Sequence, residues 1–270
     1  MIMKIFKKMI ALLSFKCKMV INSFCFSKNS KLRKMLFEKA ELDGIENIPI
    51  FIISFNRLSY LQKQIFSFEK HGFKNIIIID NGSSYPALLD YYKTIPYLVI
   101  FNGSNDGHMV FWKNEKYKKY RENFYIITDP DIELLDECPN DVIHVFFDML
   151  KQYRFVNKVG FSLKIDDVPE DSIFGDDVYK WEKTFYNIYD KTRSFYYAPI
   201  DTTFALYLPD CLQNKKKFFS AIRMGYPYQA KHLPWYRRKG DITAEDLFYS
   251  STKENGWWDP FQEKMIPDRK

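Results

Sequence analysis

The stretch PIFIISFNRLSYLQKQIFSF, residues 49–68, decides the fold. It opens with an unbroken apolar run of strand length that closes at Ser54. From there Leu58, Leu61, Ile65 and Phe68 recur at the three-to-four spacing of one helical face. A strand that is apolar without alternation is buried on both faces, which is the signature of a parallel sheet covered by helices. The unit therefore reads strand, turn, helix, and the same plan repeats downstream.

His71-Gly72 closes that helix, KNIIIID (74–80) is a second apolar strand, NGSS (81–84) is a turn able to cap, and a helix spans 85–92. YLVIF (97–101) is a third strand ending at NGSNDG (102–107), an aromatic and lysine-rich helix covers 109–120, and NFYIIT (123–128) is a fourth strand running into Asp129-Pro130-Asp131. Strands alternating with helices specify an α/β domain with a mainly parallel sheet, and such sheets bind ligands at the carboxyl ends of their strands. The tips to watch are residues 54–57, 80–81, 102–107 and 129–131. Beyond Pro139 the pattern predicts a helix to Tyr153, a strand KVGFSLKI, a helix over 178–188, a strand over 202–207 and a last helix over 243–255. No internal repeat, low-complexity tract or Gly/Pro-rich linker marks a second domain.

The net charge of +6 is concentrated at one end: residues 1–37 carry nine Lys or Arg and no acid, leaving 31 cations against 34 acids in the rest. A slightly acidic body lacks the basic face that phosphate-backbone binding needs, which argues against nucleic acid as a partner. In the first residues, MIMKIFKKMIALLSF, the apolar run is cut by Lys16 and Lys18, too short for a membrane span. Ile5, Met9, Leu12 and Leu13 fall near one helical face beside many lysines, so the basic segment 1–45 is expected to rest on an anionic membrane surface or pack as an ordinary helix. Cys17, Cys25, Cys138 and Cys211 stand apart with no metal-binding spacing, as expected of reduced thiols in a cytoplasmic protein.

Asp129-Pro130-Asp131 sets two carboxylates one residue apart at a strand end, within reach of one hard divalent cation and its bound phosphates; oxygen ligands suit Mg²⁺ or Mn²⁺. Asp and Pro are also ordinary turn residues. Position after the fourth strand, more than the motif, lifts it above a turn.

With this order of elements the chain resembles the GT-A glycosyltransferases, particularly the large family whose opening strand reads like IFIISFNRLSYLQKQIFSF, over about residues 48–260. The resemblance implies a Rossmann-like GT-A domain over 46–270 that moves a sugar from a nucleotide-diphosphate donor to a glycan or lipid-linked acceptor, mostly with inversion. It places Ser54, Phe55, Asn56 and Arg57 at the donor's base and ribose and Asp80 at the base. It also brings Asn105-Asp106-Gly107 close to ribose and diphosphate, where Gly107 permits close approach. Asp129 and Asp131 would carry metal and diphosphate, and His232, in KHLPWY, would complete the metal site.

Direct displacement by an acceptor hydroxyl needs a carboxylate base. Asp201, just before a strand, lies near where similar enzymes place it, and Glu245-Asp246 resembles an acidic signature of the family but follows His232 instead of preceding it. Glu245 and Asp246 also suit the first turn of a helix on dipole grounds alone. Arg223 is a candidate for holding a phosphate, and Trp181, Trp235, Trp257 and Trp258 for stacking on sugar rings. A surface-polysaccharide acceptor would suit an enzyme at the inner face of a bacterial membrane. Two rivals remain: a haloacid-dehalogenase-like phosphohydrolase using Asp129 and Asp131, which would want its motif on the first strand, and a non-catalytic membrane-associated protein, which leaves the acidic strand tips unexplained.

Overall fold

The computed structural model describes residues 30–191, 194–238 and 240–252. The expectations for the basic segment before residue 30, for Cys17 and Cys25, and for Trp257 and Trp258 lie outside them.

The opening unit folds as read. Strand β1 (Ile50–Ser54) is buried along its whole length, and helix α2 (Leu58–Lys70) lays Leu61, Ile65 and Phe68 into the core. The helix before it, α1 (Ser30–Asp43), belongs to the folded body, because Phe37 packs edge-on against Phe124 at 4.7 Å between ring centroids. Strands β2 (Ile76–Asp80), β3 (Leu98–Phe101) and β4 (Tyr125–Thr128), with α3 (Pro86–Tyr92) between β2 and β3, complete a parallel half-sheet in the order β3-β2-β1-β4. All four carboxyl ends therefore point the same way. The helix expected over 109–120 breaks in two, α4 (Val110–Lys113) and a 3₁₀ turn (Glu115–Glu122). Asn114 makes the break: it is extended, and its side chain accepts from the amide of Lys116.

The second half of the same ten-stranded sheet is mixed. Helix α5 (Val142–Gln152) leads to β6 (Lys158–Leu163), and α6 (Gly175–Glu182), ending in a 3₁₀ turn at Tyr186, leads to a hairpin of β7 (Tyr189–Asp190) and β8 (Phe195–Tyr197). The chain then returns as β9 (Ala205–Tyr207), antiparallel between β4 and β6. Gly160 makes that neighbour possible, since a Cβ there would collide with the carbonyl oxygen of Phe204.

Two elements near the site were not legible in the sequence. Strand β5 (Ile132–Leu134) follows the acidic turn directly. The long β10 (Ala221–His232) runs parallel to β6, shifts register between Met224 and Gln229, and then pairs antiparallel with β5. Gly225 and Pro227 hide it from any strand pattern. Helix α7 (Ala244–Thr252) closes the described chain. One apolar core packs against α2 and α5 on one face of the sheet, and an aromatic one, with Phe111, Tyr117, Tyr125 and Tyr207, fills the other. No described helix is long and apolar enough to cross a membrane.

Candidate functional site

The acidic turn sits at the carboxyl end of β4. Its neighbour is supplied by sheet pairing: His232 is opposite Ile132 in the β10–β5 ladder, and the amide of Leu233 donates to the carbonyl of Asp131 at 2.8 Å. The pairing brings His232 Nε2 to 3.4 Å from Asp131 Oδ2. The other carboxylate oxygen of Asp131 is buried with no hydrogen-bond partner among the described residues. A buried anionic oxygen with no donor is costly and marks a place for a positive or donating group.

Asp129 is held differently. Its amide donates to the carbonyl of Thr202 at 3.0 Å, and the Thr202 hydroxyl donates to Asp129 Oδ2 at 2.5 Å. Burial pushes the Asp129 carboxyl well above its usual range, Asp131 and Asp201 push the same way, and the Thr202 hydroxyl opposes them. Two acids crowded at one strand end favour a cation between them and disfavour a second negative charge.

Asp201 precedes Thr202 and has an exposed side chain. Its backbone carbonyl is gripped from within by Lys158 Nζ at 3.3 Å and the Tyr207 hydroxyl at 3.0 Å. The structure thus gathers Asp129, Asp131, His232 and Asp201 at one end of the sheet. They do not form a ready-made cage: among the described residues no group of three or more His, Cys, Asp or Glu is arranged to hold a metal. One oxygen of the Asp129 carboxylate accepts from Thr202, so of the set expected from the resemblance Asp131 and His232 are the pair in direct contact. Two protein ligands still fit Mg²⁺ or Mn²⁺, which commonly bind one or two carboxylates and take their other ligands from water and substrate phosphates.

Other candidates prove to be committed to the fold. Asp246 is buried and accepts from Arg57 at 2.5 Å, from Arg237 at 2.8 and 2.5 Å, and from the amide and hydroxyl of Thr243. Although burial opposes it, the Thr243 and arginine contacts hold its carboxyl below the usual range, which makes it a poor proton acceptor. Glu245 accepts from the Ser59 amide at 3.0 Å and its hydroxyl at 2.7 Å, capping the start of α2. Both acids are held in place by these contacts. Arg223 is likewise engaged by the fold: it is buried, its Nε donates to the Pro199 carbonyl at 2.9 Å, its Nη1 pairs with Glu182, and it stacks over Phe185.

At the first strand tip the donor-site candidates are also occupied. Asn56, at φ 49, accepts from the amides of Ser84 and Tyr85 and donates to Thr252. Arg57 lies 3.8 Å above the Tyr249 ring, Phe55 meets Tyr249 edge-on, and the Tyr92 hydroxyl donates to Asp80 at 3.0 Å and lies 3.1 Å from the Ser54 hydroxyl. Helix α7 covers this tip. Asn105 and Gly107 stay exposed in the 102–107 loop, which Asn81 ties together through Asn105, the Gly107 carbonyl and the Asp106 amide. Trp181 and Trp235 are packed, Trp235 beside His232 at 4.7 Å between centroids. Sequence reasoning misses two positions, Thr202 and Gln64. Gln64 carries a signal, a polar residue at the helical spacing of the buried Leu61, Ile65 and Phe68.

No family model matches the sequence, and no curated protein does. Among solved structures, the crystal structure of S. aureus TarS is similar to this chain with a TM-score of 0.39 and 13% identity, over 68% of this chain and 36% of that one. The chain thus spans little more than a third of that protein's length.

Proposed function

We propose that this protein is a glycosyltransferase that takes a sugar from a nucleotide-diphosphate donor, with Mg²⁺ or Mn²⁺ held by Asp131 and His232. The observation that carries the reading is the buried Asp131 Oδ1, without a hydrogen-bond partner among the described residues and set beside His232 at the carboxyl end of a parallel strand. When bound there, the cation would neutralise charge on the leaving diphosphate. Asp129, kept from ionising easily by burial and by Asp131, adds negative charge to the site once a cation is near. Asp201 is the acid left to take the proton from an acceptor hydroxyl, since Glu245 and Asp246 are bound elsewhere, and a single displacement of this kind inverts the anomeric centre. The exposed Asn105–Gly107 loop is open to the donor, and Gly107 permits close approach. For nucleotide to reach the first strand tip, the contacts of α7 with Asn56 and Arg57 must yield or reshape. The acceptor we expect is a glycan or a lipid-linked sugar, and the basic N-terminal segment would hold the enzyme against an anionic membrane.

Thermal melting with a panel of nucleoside diphosphates, with and without Mn²⁺, tests the reading on wild type and Asp131→Ala. One nucleotide with Mn²⁺ should raise Tm; ligand at a hundredfold excess over Kd is worth about 2.7 kcal/mol. The shift should vanish in Asp131→Ala. A folded wild type that responds to no nucleotide–metal pair would return the choice to the phosphohydrolase and non-catalytic readings.

A further inference from the structure

Helix α2 and the residue that caps its end carry three buried polar side chains, Gln64, Ser67 and His71, at helical spacing among the apolar residues Leu61, Ile65 and Phe68. All three are spent on one short segment. Gln64 Nε2 donates to the Asp129 carbonyl at 2.7 Å and to the Thr128 hydroxyl at 3.3 Å. The Ser67 hydroxyl accepts from the Leu134 amide at 3.1 Å, and His71 Nε2 lies 3.1 Å from the Leu135 carbonyl while its Nδ1 meets the Ser67 carbonyl at 2.8 Å. The helix therefore grips the acidic turn and β5 at both ends of residues 129–135. Because β5 is the strand that pairs His232 opposite Ile132, the grip also sets where His232 meets Asp131.

Ordinary core packing does not call for this stripe. Gln64 is fully buried and its Oε1 has no partner among the described residues, a cost that an apolar residue of the same length would avoid. We infer that Gln64 is a positioning residue: with Ser67 and His71 it holds the Asp129–Asp131 turn and β5 in the register that sets Asp131 beside His232. The inference rests on the metal reading above for its consequence, though the clamp itself is a matter of geometry.

Gln64→Met keeps length and bulk and removes the donor. It is measured by two readouts on the full chain, free Mn²⁺ by electron paramagnetic resonance and amide hydrogen exchange of residues 128–135, with Tm as the control. Exchange should quicken in that segment alone while Tm holds, and Mn²⁺ binding should weaken by about tenfold or more, as for outer-shell partners of metal ligands. Unchanged exchange overturns the clamp whatever Mn²⁺ does. Quickened exchange with wild-type Mn²⁺ affinity overturns the positioning role. A wild type that binds no Mn²⁺ sinks the metal reading and the positioning role with it, and is told apart because the unmutated protein already fails. Should Gln64→Met not fold, Ser67→Ala, which frees the Leu134 amide, is measured in the same two ways, and each outcome decides the same point.

Discussion

Lys158 contacts the candidate site from its buried side, through the Asp201 carbonyl. It is fully buried at the start of β6, against the rings of Tyr207, Phe218 and Phe219, and its hydrogen-bond partners are a carbonyl and a hydroxyl, both neutral. Burial pulls its pKa down to about 7, Arg223 adds to the fall, and the Asp201 carboxylate opposes it. The unfolded chain then binds more protons than the native one between pH 7 and the ordinary lysine range, so native stability rises with pH across that window. Urea unfolding from pH 7 to 8.5 should show this rise, with a slope of up to about 1.4 kcal/mol per pH unit from this group. Lys158→Met should flatten it; the same slope in the variant would assign the effect to another group. At this scale the sequence is a partial guide. Asp129, Asp131, His232 and Asp201 are all legible as candidates and lie at one end of the sheet, whereas nothing in the sequence reveals that Arg57 and Arg237 pair with Asp246, Ser59 with Glu245, and Glu182 with Arg223.

Among the elements, α7 is the one whose docking depends most on charge. Asp246 joins Arg57 from the β1 turn to Arg237, and both arginine side chains are almost wholly buried. Removing the carboxylate leaves two buried cations without their counter-ion, so Asp246→Ala should lower the free energy of unfolding by about 3 kcal/mol or more. A loss below about 1 kcal/mol in urea titration would mean that the pair behaves like one on the surface. The elements of the parallel half were legible because buried strands and amphipathic helices each write a period into the chain. Strand β5, only three residues long, and the register-shifted β10 write none, and their pairing was invisible.

For the whole molecule, the sheet ties the parallel half to the mixed half through β4 and β9, where Tyr125 and Tyr207 stack at 5.2 Å and 8°. One core runs under both halves, holding Ile52 and Ile78 together with Phe161, Phe195 and Phe204. We therefore expect a single unfolding transition, with far-ultraviolet circular dichroism and tryptophan fluorescence coincident in urea; two separated transitions would show that the halves fold independently. What the sequence by itself determined was the class of the fold, the succession of its first four strands along the chain and the acidic strand tip, since apolar periodicity and turn chemistry act between near neighbours. What only the tertiary structure decided was the company each polar group keeps: that His232 meets Asp131, that Asp246 is spoken for, and that Gln64 holds the acidic turn. Those contacts join residues far apart in the chain, and burial makes each polar group find whichever partner the packed backbone brings within reach.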